Sequence, residues 1–278
     1  VAMSKALGSF MGLIGFIILM GAGVGEVLSQ TGVAQNIVRL VITKTGVKSK
    51  NRAMIATMIS SVLLVGLLGS MAGSNAILAP IIIPIVASFG ITPNTLGVLL
   101  HGAGASGLYL GPFVPPVVTT MELTGIGYGE YLLHTGIPVS VIVWITTYFV
   151  AKRTQKLTEG KYSYSEEDRV NSINFKPDRK VTKATSVFLL SMLALIIYGM
   201  TAKAGASYVI VVMALVAFIT GKVAGLSGED TLKALIKGSS RMYWLFFMFI
   251  LYDPFLNFVT ESGAFDALAN YLKPLINY

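Results

Sequence analysis

The sequence predicts an all-α integral membrane protein, and its composition is the first reason. The 278 residues have a mean hydropathy of +0.73, 54% of them are hydrophobic and only 12% are charged. Soluble domains carry about a quarter charged residues. The composition therefore argues against a soluble enzyme and against a nucleic-acid partner, and it makes the lipid bilayer the expected surrounding.

The second reason is a series of apolar segments long enough to cross a bilayer, which needs roughly 20 residues. Two further segments, 54–69 and 76–90, are each only about 15 residues long, which is typical of a re-entrant hairpin over 54–90. Two short tilted spans are the alternative interpretation. The predicted spans are 8–28, 97–121, 131–151, 185–202, 206–223 and 242–258.

The third reason is the distribution of basic residues, which also predicts the orientation. Of the 21 Lys and Arg residues, 17 lie in the connections 42–53, 152–184 and 222–241. Cytoplasmic loops of membrane proteins are enriched in these residues. We therefore expect a multi-pass protein of the cell (inner) membrane with these three connections in the cytoplasm.

The two ends of the sequence resemble each other. Placing Thr31-Gly32-Val33-Ala34 on Ser262-Gly263-Ala264-Phe265 aligns an apolar segment and the amphipathic stretch after it at both ends, without a gap. In the orientation above, 8–28 and 242–258 run in opposite directions, and inverted repeats are typical of secondary transporters. The sequence thus predicts an inverted-repeat transporter.

The predicted domains follow from this repeat. A first repeat over 1–153 contains the scaffold helix 8–28, the hairpin, the helix 97–121 and the span 131–151, and a cytoplasmic linker over 154–184 follows it. Part of a second, inverted repeat occupies 185–278. Because the counterparts of several elements fall outside the sequence, we expect a fragment of a protein of on the order of 440 residues.

The densest polar signal in an apolar setting lies between the hairpin arms, at Ser70, Ser74 and Asn75. Ser and Asn are strong N-caps, so Ser74 and Asn75 are predicted to open the helix 76–90 inside the membrane. Hydroxyl and amide oxygens at such a point suit a hard monovalent cation, and free N–H groups at a helix start suit a carboxylate. An ordinary link between two helices is the alternative.

The segment 97–121 is predicted to be a discontinuous transport helix. Glycines and prolines recur between His101 and Pro116, and they disfavour a continuous helix. Candidate ligands in this segment are Ser106, Thr119 and Thr120, and His101 is a candidate proton carrier. A proline-kinked structural span and a packing histidine are the alternatives.

Carboxylates within membrane spans are costly and therefore functional by default. Asp253 lies near the middle of 242–258 and precedes Pro254, which makes it a candidate for coupling or for forming the site. Glu26 is expected at the cytoplasmic end of 8–28, where an interfacial position explains it. Glu122 and Glu130 are expected to be solvated loop residues.

At these motifs the sequence resembles the ion transporter superfamily, which includes sodium/proton antiporters and dicarboxylate and gluconate carriers. The resemblance rests on Ser74-Asn75 at a hairpin tip, Pro80 and Pro84 after it, the Gly/Pro-broken helix over 101–116 and the motif from Gly25 to Gly32. It implies that the Ser-Asn tip helps to bind sodium and substrate. It also implies a homodimer that moves a transport domain against a scaffold.

The tip departs from the carboxylate carriers of this superfamily, because it reads Ser-Asn-Ala where they commonly have Ser-Asn-Thr. The sequence therefore favours sodium/proton antiport by alternating access, with sodium- or proton-coupled transport of a small organic anion as the alternative. No enzyme activity is expected, because the chain has two histidines, no cysteine and no His-Glu-x-x-His pattern. The coupling ion, sodium or a proton, is the only cofactor expected.

Overall fold

The structure is a computed structural model that describes residues 2–165, 177–202 and 204–276. In these ranges the regular elements are all helices. Seven of the described helical segments are long and apolar enough to cross a membrane. The prediction of an all-α, multi-pass membrane protein is thereby confirmed. These segments are Phe10–Gln30, Lys50–Leu68, Met71–Ser88, Tyr128–Thr158, Arg179–Thr201, Ala206–Ala224 and Tyr243–Glu261.

The first part of the chain forms three helices. A short helix, α1, precedes the first span, α2, which starts at Phe10 because the Ser9 hydroxyl accepts a hydrogen bond from the Gly12 N–H. Gly32 then adopts φ +73° and lets the chain turn into the amphipathic helix α3. The bounds are Ala2–Leu7 for α1, Phe10–Gln30 for α2 and Val33–Thr45 for α3.

The predicted hairpin is present, but its arms are longer than the sequence suggested. The arms are α4, Lys50–Leu68, and α5, Met71–Ser88. Gly69 ends α4 with φ +67°, and the Ser70 hydroxyl caps α5 by accepting from the Gly73 N–H. The prediction that Ser74 and Asn75 open the second arm is therefore wrong: the capping residue is Ser70. Because both arms could cross a membrane by length, re-entry stays a prediction.

The predicted break in the segment 97–121 is also present. Helix α6, Pro93–Leu110, ends before Gly111, and helix α7, Pro115–Thr124, starts after Val114. The glycines between His101 and Gly107 lie within α6 and do not interrupt it. The break instead occurs where Pro112, Pro115 and Pro116 remove backbone donors.

The span predicted over 131–151 is longer than expected. Helix α8, Tyr128–Tyr131, passes through a π-helical turn, Leu132–Gly136, into α9, Ile137–Thr158. The predicted linker 154–184 therefore begins within a helix, and its residues 166–176 lie outside the described ranges. The next two spans are α10, Arg179–Thr201, and α11, Ala206–Ala224.

The connection 222–241, which the sequence places in the cytoplasm, is largely helical. Most of it forms α12, Gly228–Ser240, which packs along α2. The Ser239 hydroxyl donates to the Leu19 carbonyl at 2.8 Å, and a Cβ on Gly238 would collide with the Ala22 carbonyl oxygen. The last helices are α13, Tyr243–Glu261, and α14, Ala264–Ile276.

Glycines allow the hairpin and the broken helix to pack closely. A Cβ on Gly107 would lie 2.7 Å from the Val62 carbonyl oxygen, and one on Gly111 would collide with the Gly66 carbonyl oxygen. The Ser61 hydroxyl also donates to the Leu100 carbonyl at 3.0 Å. Helix α6 in turn packs against α9, so α4, α6 and α9 form one layer of the fold.

Helix ends match across the predicted repeat. In the alignment that places Gly32 on Gly263, the ends of α2 and α13 coincide, and so do the starts of α3 and α14. Gly32 and Gly263 have φ values of +73° and +74°. Gly15 contacts Phe246, its own counterpart in this alignment, and a two-fold axis brings equivalent residues together in this way. These matches favour the inverted repeat, which stays a prediction.

The orientation can be tested by cysteine labelling, since the chain contains no cysteine. We expect an impermeant thiol reagent to label Lys48→Cys and Lys161→Cys from the cytoplasmic side only, because both positions are exposed beside basic connections. Leu123→Cys, which is 75% exposed at the end of α7, should label from the outer side only. Labelling of all three positions from one side would contradict the orientation.

Candidate functional site

The turn of the hairpin meets the break of the helix α6–α7. A Cβ on Gly69 would lie 3.5 Å from the Phe113 carbonyl oxygen and 3.7 Å from Val114 Cα. Two non-helical stretches, Gly69–Ser70 and Gly111–Val114, thus lie next to each other, because a single added methyl group on Gly69 would bring them into van der Waals contact. We call this place the junction. Helix α2 contacts the same turn, because a Cβ on Gly21 would collide with the Leu68 carbonyl oxygen.

Ser74 and Asn75 are the fourth and fifth residues of α5, about one turn from its start and beside the junction. The side chain of Ser74 is fully buried, and Asn75 is half-buried. Within the described part of the chain, Ser74 Oγ and Asn75 Oδ1 are buried atoms with no hydrogen-bond partner. A buried oxygen without a partner costs free energy. The fold thus leaves both oxygens free to accept a ligand, and their role as ligands stays a prediction.

Ser70 serves the backbone instead. Its hydroxyl accepts from the Gly73 N–H at 3.2 Å, and its carbonyl accepts from the Ser74 N–H at 3.1 Å. The first N–H groups of a helix have no acceptor within the helix. Capping by Ser70 satisfies the Gly73 N–H, whereas the N–H groups of Met71 and Ala72 have no acceptor within the helix.

The two helix starts at the junction differ in what they can donate. Helix α7 begins with Pro115 and Pro116, which have no N–H, and the Val117 N–H already donates to the Val114 carbonyl at 3.1 Å. Of these two helix starts, that of α5 is therefore the one with unpaired backbone N–H groups in the described structure. The sequence also holds no Lys, Arg, Asp or Glu in 53–121, so this stretch brings none of these charged side chains to the junction.

Two of the predicted site residues lie away from the junction. Ser106 faces α9, where its hydroxyl donates to the Ser140 carbonyl and the Ser140 hydroxyl donates to the Ser106 carbonyl, both at 3.3 Å. This reciprocal pair links α6 to α9, and a role of Ser106 as a ligand stays a prediction. His101 has an exposed side chain on α6.

The remaining candidates are dispersed. Thr119 and Thr120 lie in α7, and the Thr120 hydroxyl donates to the Pro116 carbonyl at 2.8 Å. Asp253 is half-buried in α13, which continues through Pro254 without a break. Its carboxylate makes no hydrogen bond or ion pair within the described ranges. The two loop carboxylates, Glu122 and Glu130, are exposed, as the sequence analysis expected.

Glu26 lies near the end of α2, as the sequence analysis expected, but its side chain is only 6% exposed and is held in an ion-pair cluster that the sequence did not reveal. One carboxylate oxygen pairs with Lys237 Nζ at 2.8 Å and accepts from Gln30 at 2.9 Å, and the other pairs with Arg241 at 2.8 Å. The two cations lie in and just after α12, near the other end of the chain, so only the fold reveals the cluster.

A cavity of about 660 Å³ opens beside the break. Pro112 and Phe113 of the break line it on one side, and residues of α10 and α11 line it on the other. The 122–130 connection also lines the cavity, which places the opening on the predicted outer side.

The comparisons with known proteins identify the family. The sequence matches DcuC, the C4-dicarboxylate anaerobic carrier family, over residues 3–273. The chain belongs to the C4-dicarboxylate anaerobic carrier family. This membership confirms the prediction of a membrane carrier family, and between the two predicted functions it supports organic anion transport rather than sodium/proton antiport.

A curated relative is also similar to this chain. The chain is 28% identical over 144 residues to an uncharacterized membrane protein of Vibrio parahaemolyticus. The match covers 49% of this chain and 32% of the relative. The chain thus spans about a third of the length of that relative.

Proposed function

We propose that this chain is part of a secondary active carrier that transports C4-dicarboxylates together with a cation. The observation that carries the proposal is the family match over residues 3–273. The homodimer that the resemblance implies is part of this proposal.

The junction supports a site for both substrate and cation. The free N–H groups of Met71 and Ala72 suit one carboxylate of the substrate, because a helix start carries partial positive charge. Ser74 Oγ and Asn75 Oδ1 are neutral oxygens without partners in the described structure, and such oxygens suit sodium. The substrate and the cation would therefore bind side by side at the start of α5.

Charge balance favours coupling to a cation. A C4-dicarboxylate carries two negative charges, while residues 53–121 supply no Lys or Arg. An uncompensated charge in a site of low dielectric is costly. Bound sodium ions would supply the missing positive charge, so the substrate would bind with them. Protons carried by Asp253 or His101 are the alternative coupling ions.

Uptake by proteoliposomes tests the proposal. We expect the full-length protein that contains this chain to accumulate radiolabelled succinate, a C4-dicarboxylate, when an inward sodium gradient is imposed, and to do so far more slowly in a matched potassium gradient. A pH gradient without sodium tests the proton alternative. Lack of succinate uptake by well-folded protein under the sodium gradient and under the pH gradient would refute the proposal. Proton release driven by sodium without succinate would instead establish sodium/proton exchange.

A further inference from the structure

The break in the helix α6–α7 leaves a carbonyl that the backbone does not satisfy. Pro112 has no N–H, the Gly111 N–H donates to the Gly107 carbonyl and the Val114 N–H donates to the Gly111 carbonyl. The Tyr128 hydroxyl supplies the donor for Leu110, because it donates to the Leu110 carbonyl at 2.5 Å. The end of α6 is therefore capped by a side chain from α8.

Residues 128–136 contact both sides of the break. Tyr131 is only 2% exposed and packs in a small apolar cluster with Val114 and Val117, where α7 begins. Gly136 lies against the end of α6, since a Cβ there would be 2.8 Å from the Tyr109 carbonyl oxygen. Gly136 belongs to the π-helical turn Leu132–Gly136, and such turns within helices are frequent at functional sites.

We propose that Tyr128 is a positioning residue for the junction. Its hydroxyl holds the last carbonyl of α6 and so determines where the stretch Gly111–Val114 lies against the hairpin turn. A Cβ on Gly69 would already touch the Phe113 carbonyl oxygen, so the hairpin turn lies beside the break, and a shift of the break displaces the turn and the start of α5. This inference rests on the proposed function, because the junction is the proposed binding site.

Tyr208 provides a matched control. Its hydroxyl donates to the Leu195 carbonyl at 2.9 Å, so Tyr208, like Tyr128, makes a hydrogen bond to a backbone carbonyl of another helix. Both tyrosines line the same cavity. Tyr208 joins α10 and α11, however, and its hydrogen bond does not involve the break.

The test compares Tyr128→Phe with Tyr208→Phe in sodium-driven succinate uptake by proteoliposomes and in thermal unfolding. Each substitution removes one hydroxyl and keeps the ring. We expect Tyr128→Phe to raise the half-saturating concentrations of sodium and succinate by about threefold to tenfold, the effect of one hydrogen bond. Tyr208→Phe should leave both concentrations unchanged, and the two variants should unfold at similar temperatures.

The outcomes separate this inference from the proposed function. Suppose that the unmodified protein takes up succinate and that both variants show the same half-saturating concentrations of sodium and succinate as it does. The positioning role is then refuted and the proposed function stands. If Tyr128→Phe alone fails to fold, the role is also refuted, because the hydrogen bond then supports the fold and not the site. If the unmodified protein takes up no succinate under either gradient, the proposed function fails first.

Discussion

Replacing Asn75 by alanine is expected to raise the sodium concentration for half-maximal succinate uptake by about tenfold or more. Asn75 Oδ1 is a buried oxygen without a partner among the described residues, at the start of α5 beside the junction. Losing one direct ligand costs about 1–3 kcal/mol, and each 1.4 kcal/mol corresponds to about a tenfold change in affinity. Uptake at graded sodium concentrations measures the effect.

The same variant should not lose stability when sodium is absent. A structural asparagine would lose a hydrogen bond on replacement, whereas Oδ1 has none to lose within the described structure. We therefore expect the melting temperature of Asn75→Ala in potassium to be unchanged or raised. Sodium binding to the folded state should stabilise the unmodified protein, and this increase should disappear in the variant.

Ser88→Ala is the matched control for this experiment. Ser88 is the last residue of α5, and its exposed hydroxyl donates to the Ile85 carbonyl. This variant should keep the sodium dependence of the unmodified protein. An unchanged sodium dependence in Asn75→Ala, with the protein folded, would remove Asn75 from the proposed site.

The sequence predicted the helical architecture and a break within 101–116 because these features depend on local chemistry. Apolar length predicts spans, and Pro112, Pro115 and Pro116 remove the donors that a continuous helix needs. The glycines of α6 were harder to interpret from sequence alone. Gly104 and Gly107 lower helix propensity, but here they let α4 approach closely, so packing overrides propensity.

The start of α5 was misassigned because the sequence offers three residues that could cap it. Ser70, Ser74 and Asn75 are all good N-caps, and propensity alone does not choose between them. The structure shows what decides: Gly69 ends α4 with φ +67°, so the chain can enter the next helix at once, and Ser70 stands at the first capping position. This places Ser74 and Asn75 one turn into the helix, with their oxygens unpaired in the described structure.

The environment of Glu26 could not be predicted because its partners are remote in sequence. The amphipathic segment 228–240 has the composition of a solvated helix, and nothing local shows that it packs on α2. The close contact between Gly238 and the Ala22 carbonyl and the hydrogen bond from Ser239 to the Leu19 carbonyl bring Lys237 and Arg241 to the Glu26 carboxylate. The sequence could have signalled this only through small residues such as Gly238, which a close helix–helix crossing requires.

Removing both Lys237 and Arg241 is expected to destabilise the protein more than any single change in this cluster. Glu26 is 6% exposed, whereas the side chains of Lys237 and Arg241 are 62% and 56% exposed. If the Glu26 carboxylate is removed, the two exposed cations can turn toward polar surroundings. If both cations are removed, the buried carboxylate keeps a charge that nothing compensates. Such a loss costs about 3–5 kcal/mol. The double substitution Lys237→Ala, Arg241→Ala should therefore lower the melting temperature by on the order of 10 °C.

Two further variants show whether the buried charge is the cause. Lys233→Ala removes an exposed pair with Glu229 on the same helix, and it should cost well under about 1 kcal/mol. Adding Glu26→Gln to the double variant removes the uncompensated charge, so it should restore much of the lost stability. If the double variant melts like Lys233→Ala, Lys237 and Arg241 do not stabilise the Glu26 carboxylate. Helix α12 would then be held on α2 by the close packing at Gly238 and not by the ion pairs.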